Sequence, residues 1–172
     1  MKFLAHRGHW LTQNEKNTFA AFERAWSGSF GIETDLRDLA GNVVVSHDPP
    51  TEGAIEFERL LQARIAWGPE TPLALNIKAD GLHTLIADLI ERYRVKDYFV
   101  FDMSVPDTLH YLRAGMPVLL RLSEYEPGTS LLDRAAGVWL DAFEDEWWSL
   151  DMLRSFHAQR KTIAIVCAGP GK

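Results

Sequence analysis

The sequence predicts an α/β protein, more narrowly a (β/α) barrel of the TIM type, shortened to seven barrel strands with the last βα unit missing. Short apolar runs alternate with amphipathic stretches along the chain, and most of these runs are apolar on both faces. Strands of that kind are typical of parallel sheets that helices cover. Ionisable residues gather where the runs end, and the active sites of such barrels lie at that end of the strands.

The predicted elements follow this alternation. Strands are expected at 3–7, 31–37, 43–47, 73–78, 98–103, 117–122, 137–141 and 162–167. The run 43–47 follows the turn-like sequence LAGN, so we expect an extended arm folded back beside the second strand rather than a barrel strand. Apolar residues recur at helical spacing in 17–26, 81–94, 105–115 and 149–161, and each of these is predicted to be a helix. Asn17 or Thr18 is expected to cap the first of them.

The length is short for a complete barrel. An eight-unit barrel takes about 250 residues, whereas this chain has 172 and ends in CAGPGK after its last apolar run. We expect one domain over 1–172 whose barrel is incomplete at the C-terminus. Strand 162–167 would then pair with 137–141, and strand 3–7 would pair with 31–37 only. Such unpaired edges favour aggregation unless a second copy of the chain covers them, or they leave the domain marginally stable.

Composition argues against two classes of partner. The net charge is −6 and the chain has no basic run, which predicts no nucleic-acid binding. No stretch reaches the roughly 18 consecutive apolar residues of a membrane span.

The opening MKFLAHRG meets ionisable residues too soon for a secretory signal, and Cys167 is the only cysteine. An internal disulfide is excluded, and a reducing, cytoplasmic location is expected.

Two carboxylates stand two residues apart on the second predicted strand. Side chains with that spacing project from the same side of a strand, so Glu33 and Asp35 project together. At a barrel mouth they would supply half of an oxygen-ligand site for Mg²⁺ or Ca²⁺. Asn76 and Lys78 repeat the spacing on the next barrel strand. Asn76 can offer an amide oxygen to the same ion, and Lys78 can neutralise a phosphate.

Two histidines lie near these carboxylates in the sequence. His6 ends the first strand in the run His-Arg-Gly, and His47 follows the predicted arm. Two histidines beside a metal ion and cationic side chains indicate general acid–base chemistry on a phosphate ester. One would deprotonate the attacking oxygen and the other would protonate the leaving oxygen. Arg7 or Lys78 would hold the non-bridging oxygens as charge develops.

A simpler alternative is a structural network of ion pairs. In that arrangement three cations, Arg7, Arg37 and Lys78, would neutralise three carboxylates, Glu33, Asp35 and Asp48. For a single carboxylate pair this alternative would be preferred. The combination of histidines, carboxylates and cations at adjacent strand ends favours a functional site, since titratable groups with perturbed pKa values gather at such sites.

The motifs AHRG, NTFAAFERA and GIETDLRDLAGNVVVSHD resemble the glycerophosphodiester phosphodiesterase family, whose relatives include the phosphatidylinositol-phospholipase-C-like phosphodiesterase barrels. That family has His-Arg-Gly on its first strand, Glu-Asn-Thr before its first helix, Glu-x-Asp on its second strand and His-Asp shortly after. The match is dense over the first 48 residues. Strand LALNIK is similar to the family's third strand, which ends in Glu-x-Lys.

The resemblance implies a role for each matching position. His6 and His47 correspond to the acid–base pair, and Arg7 and Lys78 correspond to phosphate contacts. Metal ligation is implied at Glu33, Asp35 and Asn76, with Mg²⁺ or Ca²⁺ as cofactor. The family releases glycerol 3-phosphate and an alcohol from deacylated phospholipids, so a small phosphodiester is the implied substrate.

The chain departs from the family at three places. Asn76 stands where the family has a third carboxylate, and a neutral amide should weaken cation binding. Lys16 separates Glu15 from the Asn-Thr pair, and the last barrel strand is absent. Two rivals therefore remain beside hydrolysis: an impaired barrel that binds a phosphorylated ligand without turnover, and a lyase that releases a cyclic phosphate.

Overall fold

The structure is a computed structural model, and it describes residues 1–68 and 70–166. Its backbone divides into two compact units, residues 1–116 and 117–172. The strand predicted at 162–167 is described as far as residue 166, and Cys167 lies outside the described residues. Each unit is an α/β structure built from mainly parallel strands.

The first unit contains one sheet organised around a long central strand. Its described strands are β1 Leu4–His6, β2 Gly31–Leu39, β3 Asn42–Val45, β4 Ile55–Glu56, β5 Leu73–Ile77 and β6 Tyr98–Phe101. The first part of β2 pairs with β1 in parallel, and its last part pairs with β3 in antiparallel. Along its other edge, β2 pairs with β5, which pairs in turn with β6, both in parallel.

Within the described residues, four α-helices of this unit have buried side chains on one face. They are α1 Phe19–Ser27, α2 Phe57–Trp67, α3 His83–Arg92 and α4 Val105–Arg113, and the 3₁₀ turn Gln13–Glu15, which buries no residue, precedes α1. The Thr18 side chain accepts the Ala21 N–H and so caps α1. Ser104 caps α4 in the same way by accepting the Asp107 N–H, and proline follows in the first turn. Phe22 and Trp26 of α1 are buried, as their spacing predicts.

The second unit is smaller and has its own core. Three parallel strands, β7 Leu119–Leu122, β8 Gly137–Leu140 and β9 Thr162–Ile165, form a sheet with β8 in the middle. Helix α5 Leu150–Ala158 is capped by Ser149, and its Phe156 packs into an apolar cluster with the sheet. No helix in the described ranges is long and apolar enough to cross a bilayer.

The predicted strands all form, and the pairing expected for the arm, the first strand and the last strand is confirmed. The barrel itself is not confirmed: the strand pairings of the described residues make two separate sheets and close no barrel. Three described elements were not predicted: the 3₁₀ turn Gln13–Glu15, the short β4 and helix α2. Helix α2 buries Phe57, Leu60, Leu61 and Arg64 at helical spacing, but a buried arginine in place of an apolar residue weakened that signal.

Candidate functional site

The site begins at a tight turn after β1. Arg7 and Gly8 both have positive φ, at 56° and 82°, which reverses the chain where the strand ends. The Arg7 backbone N–H donates to the Glu33 carbonyl at 2.9 Å, so the turn is held against β2. A Cβ at Gly8 would meet Ala21 of α1 at 2.8 Å. The glycine is therefore required both by its φ and by its closeness to the helix.

Gly8→Ala is expected to lower the free energy of unfolding by about 2–4 kcal/mol, because it adds overpacking to the cost of a left-handed alanine. Urea unfolding measures this. Gly41→Ala is the matched control, since Gly41 also has positive φ, at 81°, but a Cβ there would meet nothing within 4 Å. Equal losses in the two variants would contradict the close contact with Ala21.

Strand register gathers the predicted side chains on one face. His6 is the ladder partner of Glu33, and Asp35 is the ladder partner of Asn76. Because alternate residues share a face, Lys78 lies beyond Asn76 on the same side as these four. The register of β1, β2 and β5 therefore supports the prediction that these residues meet at the ends of the three strands.

Glu33 is a buried carboxyl group with little neutralisation. One of its oxygens, Oε2, accepts the Arg7 backbone N–H at 3.1 Å and lies 3.7 Å from His6 Nε2. Burial, followed by the negative charge of Asp35, raises the pKa of Glu33 well above its usual range. The Asn76 amide and Arg7 oppose this shift to a smaller extent. A nearby positive charge would therefore stabilise the ionised form of Glu33.

Asp35 is buried as well but has a strong cationic partner. Its Oδ2 lies 2.9 Å from Arg7 Nε and accepts the Asn17 amide at 2.9 Å. Its Oδ1 has no hydrogen-bond partner within the described residues, and the same is true of Glu33 Oε1 and Asn76 Oδ1. Three buried oxygens without a donor are the kind of ligand set that Mg²⁺ or Ca²⁺ binds.

These residues therefore fit a hard divalent cation through oxygen donors alone. Over residues 1–68 and 70–166, no group of three or more His, Cys, Asp or Glu side chains is arranged to hold a metal ion. The candidate set contributes two carboxylates, and its third oxygen is the amide of Asn76. Replacement of a third carboxylate by this amide reduces the negative charge of the set.

His6 is half exposed beside this buried pair. Desolvation, followed by the charge of Arg7, lowers its pKa to about 4 although Asp35 acts in the opposite direction. The imidazole is therefore neutral at physiological pH. A neutral histidine with an accessible ring can accept a proton from a bound hydroxyl or water.

Two further predicted residues have partners outside the cluster. Lys78 forms an ion pair of 2.5 Å with Asp102, which follows β6 and has a positive φ of 71°. His47 bonds through Nδ1 to the exposed carboxylate of Asp48 at 2.8 Å, and its carbonyl accepts the Arg37 Nε–H. The alternative of an ion-pair network thus describes Arg7 and Asp35 correctly, whereas Lys78 pairs with Asp102, a carboxylate outside that network. The network also does not account for the oxygens of the carboxylate pair that lack a partner within the described residues.

Sequence reasoning missed the contribution of Asn17. The sequence predicts a helix cap at Asn17 or Thr18, whereas Thr18 takes that role and Asn17 binds Asp35. Its place in the run Asn-Thr was the available signal, but the partner is distant in sequence. Glu15 instead serves local structure, since its Oε2 accepts from the Leu11 N–H and from Arg24.

Comparison with known proteins identifies the fold. No family model matches the sequence, and no curated protein matches it. The structure is similar to a glycerophosphodiester phosphodiesterase from Thermotoga maritima, with TM-score 0.72 and 18% identity over 98% of this chain and 87% of that one. It is also similar to the enzyme of that name from Agrobacterium tumefaciens, with TM-score 0.75 and 17% identity over 99% and 88%.

A third structure is an Oleispira antarctica phosphodiesterase in complex with the product sn-glycerol-3-phosphate. Its TM-score is 0.76 at 12% identity, with 98% of this chain and 85% of that chain covered. At such low identity these matches establish the fold. The chain therefore has the fold of these phosphodiesterases.

Proposed function

We propose that this chain, which has the fold of the glycerophosphodiester phosphodiesterases, hydrolyses glycerophosphodiesters to glycerol 3-phosphate and an alcohol. The observation that carries the proposal is the cluster at the ends of β1, β2 and β5. There a neutral histidine lies beside two buried carboxylates and an arginine, and three buried oxygens have no donor among the described residues.

Arg7 and Lys78 are the phosphate contacts of the proposal. Arg7 uses Nε toward Asp35, which leaves its four terminal N–H donors for the non-bridging oxygens of a phosphodiester. Lys78 is paired with Asp102, so it reaches a phosphate by exchanging or sharing that partner. Both cations would stabilise the negative charge that develops on the phosphoryl oxygens in the transition state.

The two histidines divide the proton transfers. His6, whose lowered pKa keeps it neutral, accepts the proton of the attacking oxygen. His47 donates to the leaving alcohol through Nε2, because its Nδ1 is already bonded to Asp48. A carboxylate on one ring nitrogen fixes the orientation and tautomer of an imidazole. In this arrangement Asp48 prepares His47 for its task.

Glu33, Asp35 and Asn76 would hold the divalent cation through their unpaired oxygens. When bound, such an ion neutralises charge on the phosphate and polarises it toward attack. With the ion held by these oxygens, His6 would remain free for proton transfer. Mg²⁺ and Ca²⁺ both suit an all-oxygen set.

Asn76→Glu is expected to tighten Mg²⁺ or Ca²⁺ binding by about tenfold or more, because it adds a negative oxygen ligand to the set. Calorimetric titration of the metal alone measures the effect. Asn42→Glu, which places the same charge at an exposed position of β3, is the control and should leave the affinity unchanged. Equal or weaker binding by Asn76→Glu would place Asn76 outside the ligand set.

The activity is tested with glycerophosphocholine and glycerophosphoethanolamine in the presence of Mg²⁺, Ca²⁺ or chelator. Release of glycerol 3-phosphate that chelator abolishes is the expected result, and Asp35→Asn should lose it. Phosphorus NMR of the product separates the alternatives, since a cyclic phosphate would identify a lyase. A folded protein that binds the diester without converting it would show a binding function and overturn the proposal.

A further inference from the structure

Asn17 makes a set of contacts that neither helix capping nor the proposed chemistry explains. Its Nδ2 donates to Asp35 Oδ2 at 2.9 Å, and its Oδ1 accepts the Thr34 hydroxyl at 2.9 Å. Its backbone N–H donates to the Arg7 carbonyl at 3.0 Å. A single residue outside β2 thus contacts two consecutive side chains of that strand and the turn that carries Arg7.

The sheet explains how one side chain can reach both. One edge of β2 pairs with β1 as far as Glu33 and with β3 from Leu36 onward. Thr34 and Asp35 fall between these two ladders. Their side chains project to opposite faces of the strand, and Asn17 contacts both at the edge between the ladders. Its positive φ of 59° is one that asparagine tolerates better than most residues.

The hydrogen bonds fix which way the Asn17 amide faces. The amide oxygen can only accept and the amide nitrogen can only donate, whereas the Thr34 hydroxyl can do either. Asp35 is an acceptor when ionised, so the nitrogen must face it, and Thr34 then donates to the oxygen. The opposite orientation would set the amide oxygen against a carboxylate. Thr34 is fully buried, which keeps water from replacing its hydroxyl.

The consequence concerns the free oxygen of Asp35. Arg7 and Asn17 both bind Oδ2, which leaves Oδ1 without a donor in the described part of the chain. The ion pair with Arg7 and the hydrogen bond from Asn17, both on this one oxygen, hold the carboxylate in its orientation. Without the Asn17 amide, the carboxylate would be free to rotate and present both oxygens to Arg7 as a bidentate pair.

We propose that Asn17, oriented by Thr34, is a positioning residue that fixes the Asp35 carboxylate so that Oδ1 is available to a divalent cation. This inference rests on the proposed function of the same site. Asn17 and Thr34 would form a second layer of residues around the metal ligands. Removal of a group that orients a metal ligand typically weakens metal binding by about 10- to 100-fold.

The test is calorimetric titration of Ca²⁺ and Mg²⁺ into the substrate-free protein. Asn17→Gly removes the side chain but tolerates the positive φ, and we expect it to weaken metal binding by about 10- to 100-fold. Ser29→Gly is the matched control, because Ser29 has the same φ, 60°, at the other end of α1. It should bind the metal as the unsubstituted protein does.

A second pair of variants tests the orienting hydroxyl and covers the case in which Asn17→Gly fails to fold. Thr34→Val should also weaken metal binding, but by a smaller factor than Asn17→Gly. Thr34→Ser, which keeps the hydroxyl, should bind the metal as the unsubstituted protein does. Thermal unfolding in chelator checks that the variants remain folded. We expect the metal affinity to be highest in the unsubstituted protein and Thr34→Ser, lower in Thr34→Val and lowest in Asn17→Gly. A general loss of stability would not produce this order.

Two results would overturn the inference. One is unchanged metal affinity in a folded Asn17→Gly protein or in Thr34→Val, and the other is the absence of metal binding by the unsubstituted protein. Failure of the proposed function is recognised separately, by a protein that binds the metal and orders its variants as expected but releases no glycerol 3-phosphate. Metal affinity is measured without substrate, so the two failures cannot be confused.

Discussion

His6→Ala is expected to lower the turnover of glycerophosphocholine by about 100- to 10,000-fold, the range that one positioned proton-transfer group contributes. The side chain is half exposed at the end of β1, so its removal should leave the fold intact. The rate constant kcat at saturating metal is the quantity to measure, with circular dichroism as the check on folding. Turnover equal to that of the unsubstituted protein would remove His6 from the acid–base pair.

The pH dependence of the reaction gives the same assignment an independent test. A base must be unprotonated, and the pKa of His6 is lowered to about 4. Activity that depends on His6 should therefore persist as the pH falls below 6.5 and decline only as it approaches about 4. A decline centred near 6.5 would indicate that a histidine with an ordinary pKa supplies the base.

His47→Ala should reduce turnover over the same range, with a stronger effect on substrates whose alcohol is a poor leaving group. The reason is that a proton donor helps most where the departing alkoxide is least stable. Substrates with an activated leaving group, such as a nitrophenyl ester, should be much less affected. His157→Ala, an exposed histidine of α5, is the control and should leave turnover unchanged. Equal losses on both substrate types would contradict the assignment of His47 as the acid.

Glu33→Gln is expected to lower activity by at least about 100-fold and, in chelator, to make the protein more stable. The activity falls because an anionic ligand is lost. The stability rises because the metal-free protein no longer holds a buried carboxylate beside Asp35. We expect a gain of about 1–3 kcal/mol near pH 8, the scale of one poorly satisfied buried polar group.

The stability gain should depend on pH in a definite direction. The pKa of Glu33 is raised in the folded state above its ordinary value of 4.5. Its favourable contribution to folding is then fully present below pH 4.5 and is lost as the pH rises through the folded-state pKa. The difference between Glu33→Gln and the unsubstituted protein should therefore grow from pH 5 to pH 8.

Urea unfolding in chelator at several pH values measures this difference. Glu52→Gln, which removes an exposed carboxylate, is the matched control and should show no such trend. Added Mg²⁺ or Ca²⁺ should stabilise the unsubstituted protein and not Glu33→Gln, since binding to the folded state alone raises stability. A destabilised Glu33→Gln protein in chelator would mean that Glu33 is a satisfied structural group.

The sequence by itself predicted the longer strands, the helices α1, α3, α4 and α5, and most of the side chains that lie together at the ends of β1, β2 and β5. Strand alternation places Glu33 and Asp35 on one face in any fold that keeps 31–37 extended. Apolar runs marked all the longer strands, and the helix caps at Thr18 and Ser149 are local features readable from a few residues. Helix α2 is not predicted from the sequence because Arg64 interrupts the apolar pattern of its buried face.

Only the tertiary structure decided which of these groups meet. Register between β2 and β5 set Asn76 opposite Asp35, and the edge between two ladders brought Asn17 to the same carboxylate. Lys78 pairs with Asp102, and the strands of the described residues form two sheets without closing a barrel. Strand register and side-chain partners depend on packing between segments far apart in the chain. The energies of those contacts cannot be read from the local pattern of apolar and polar residues.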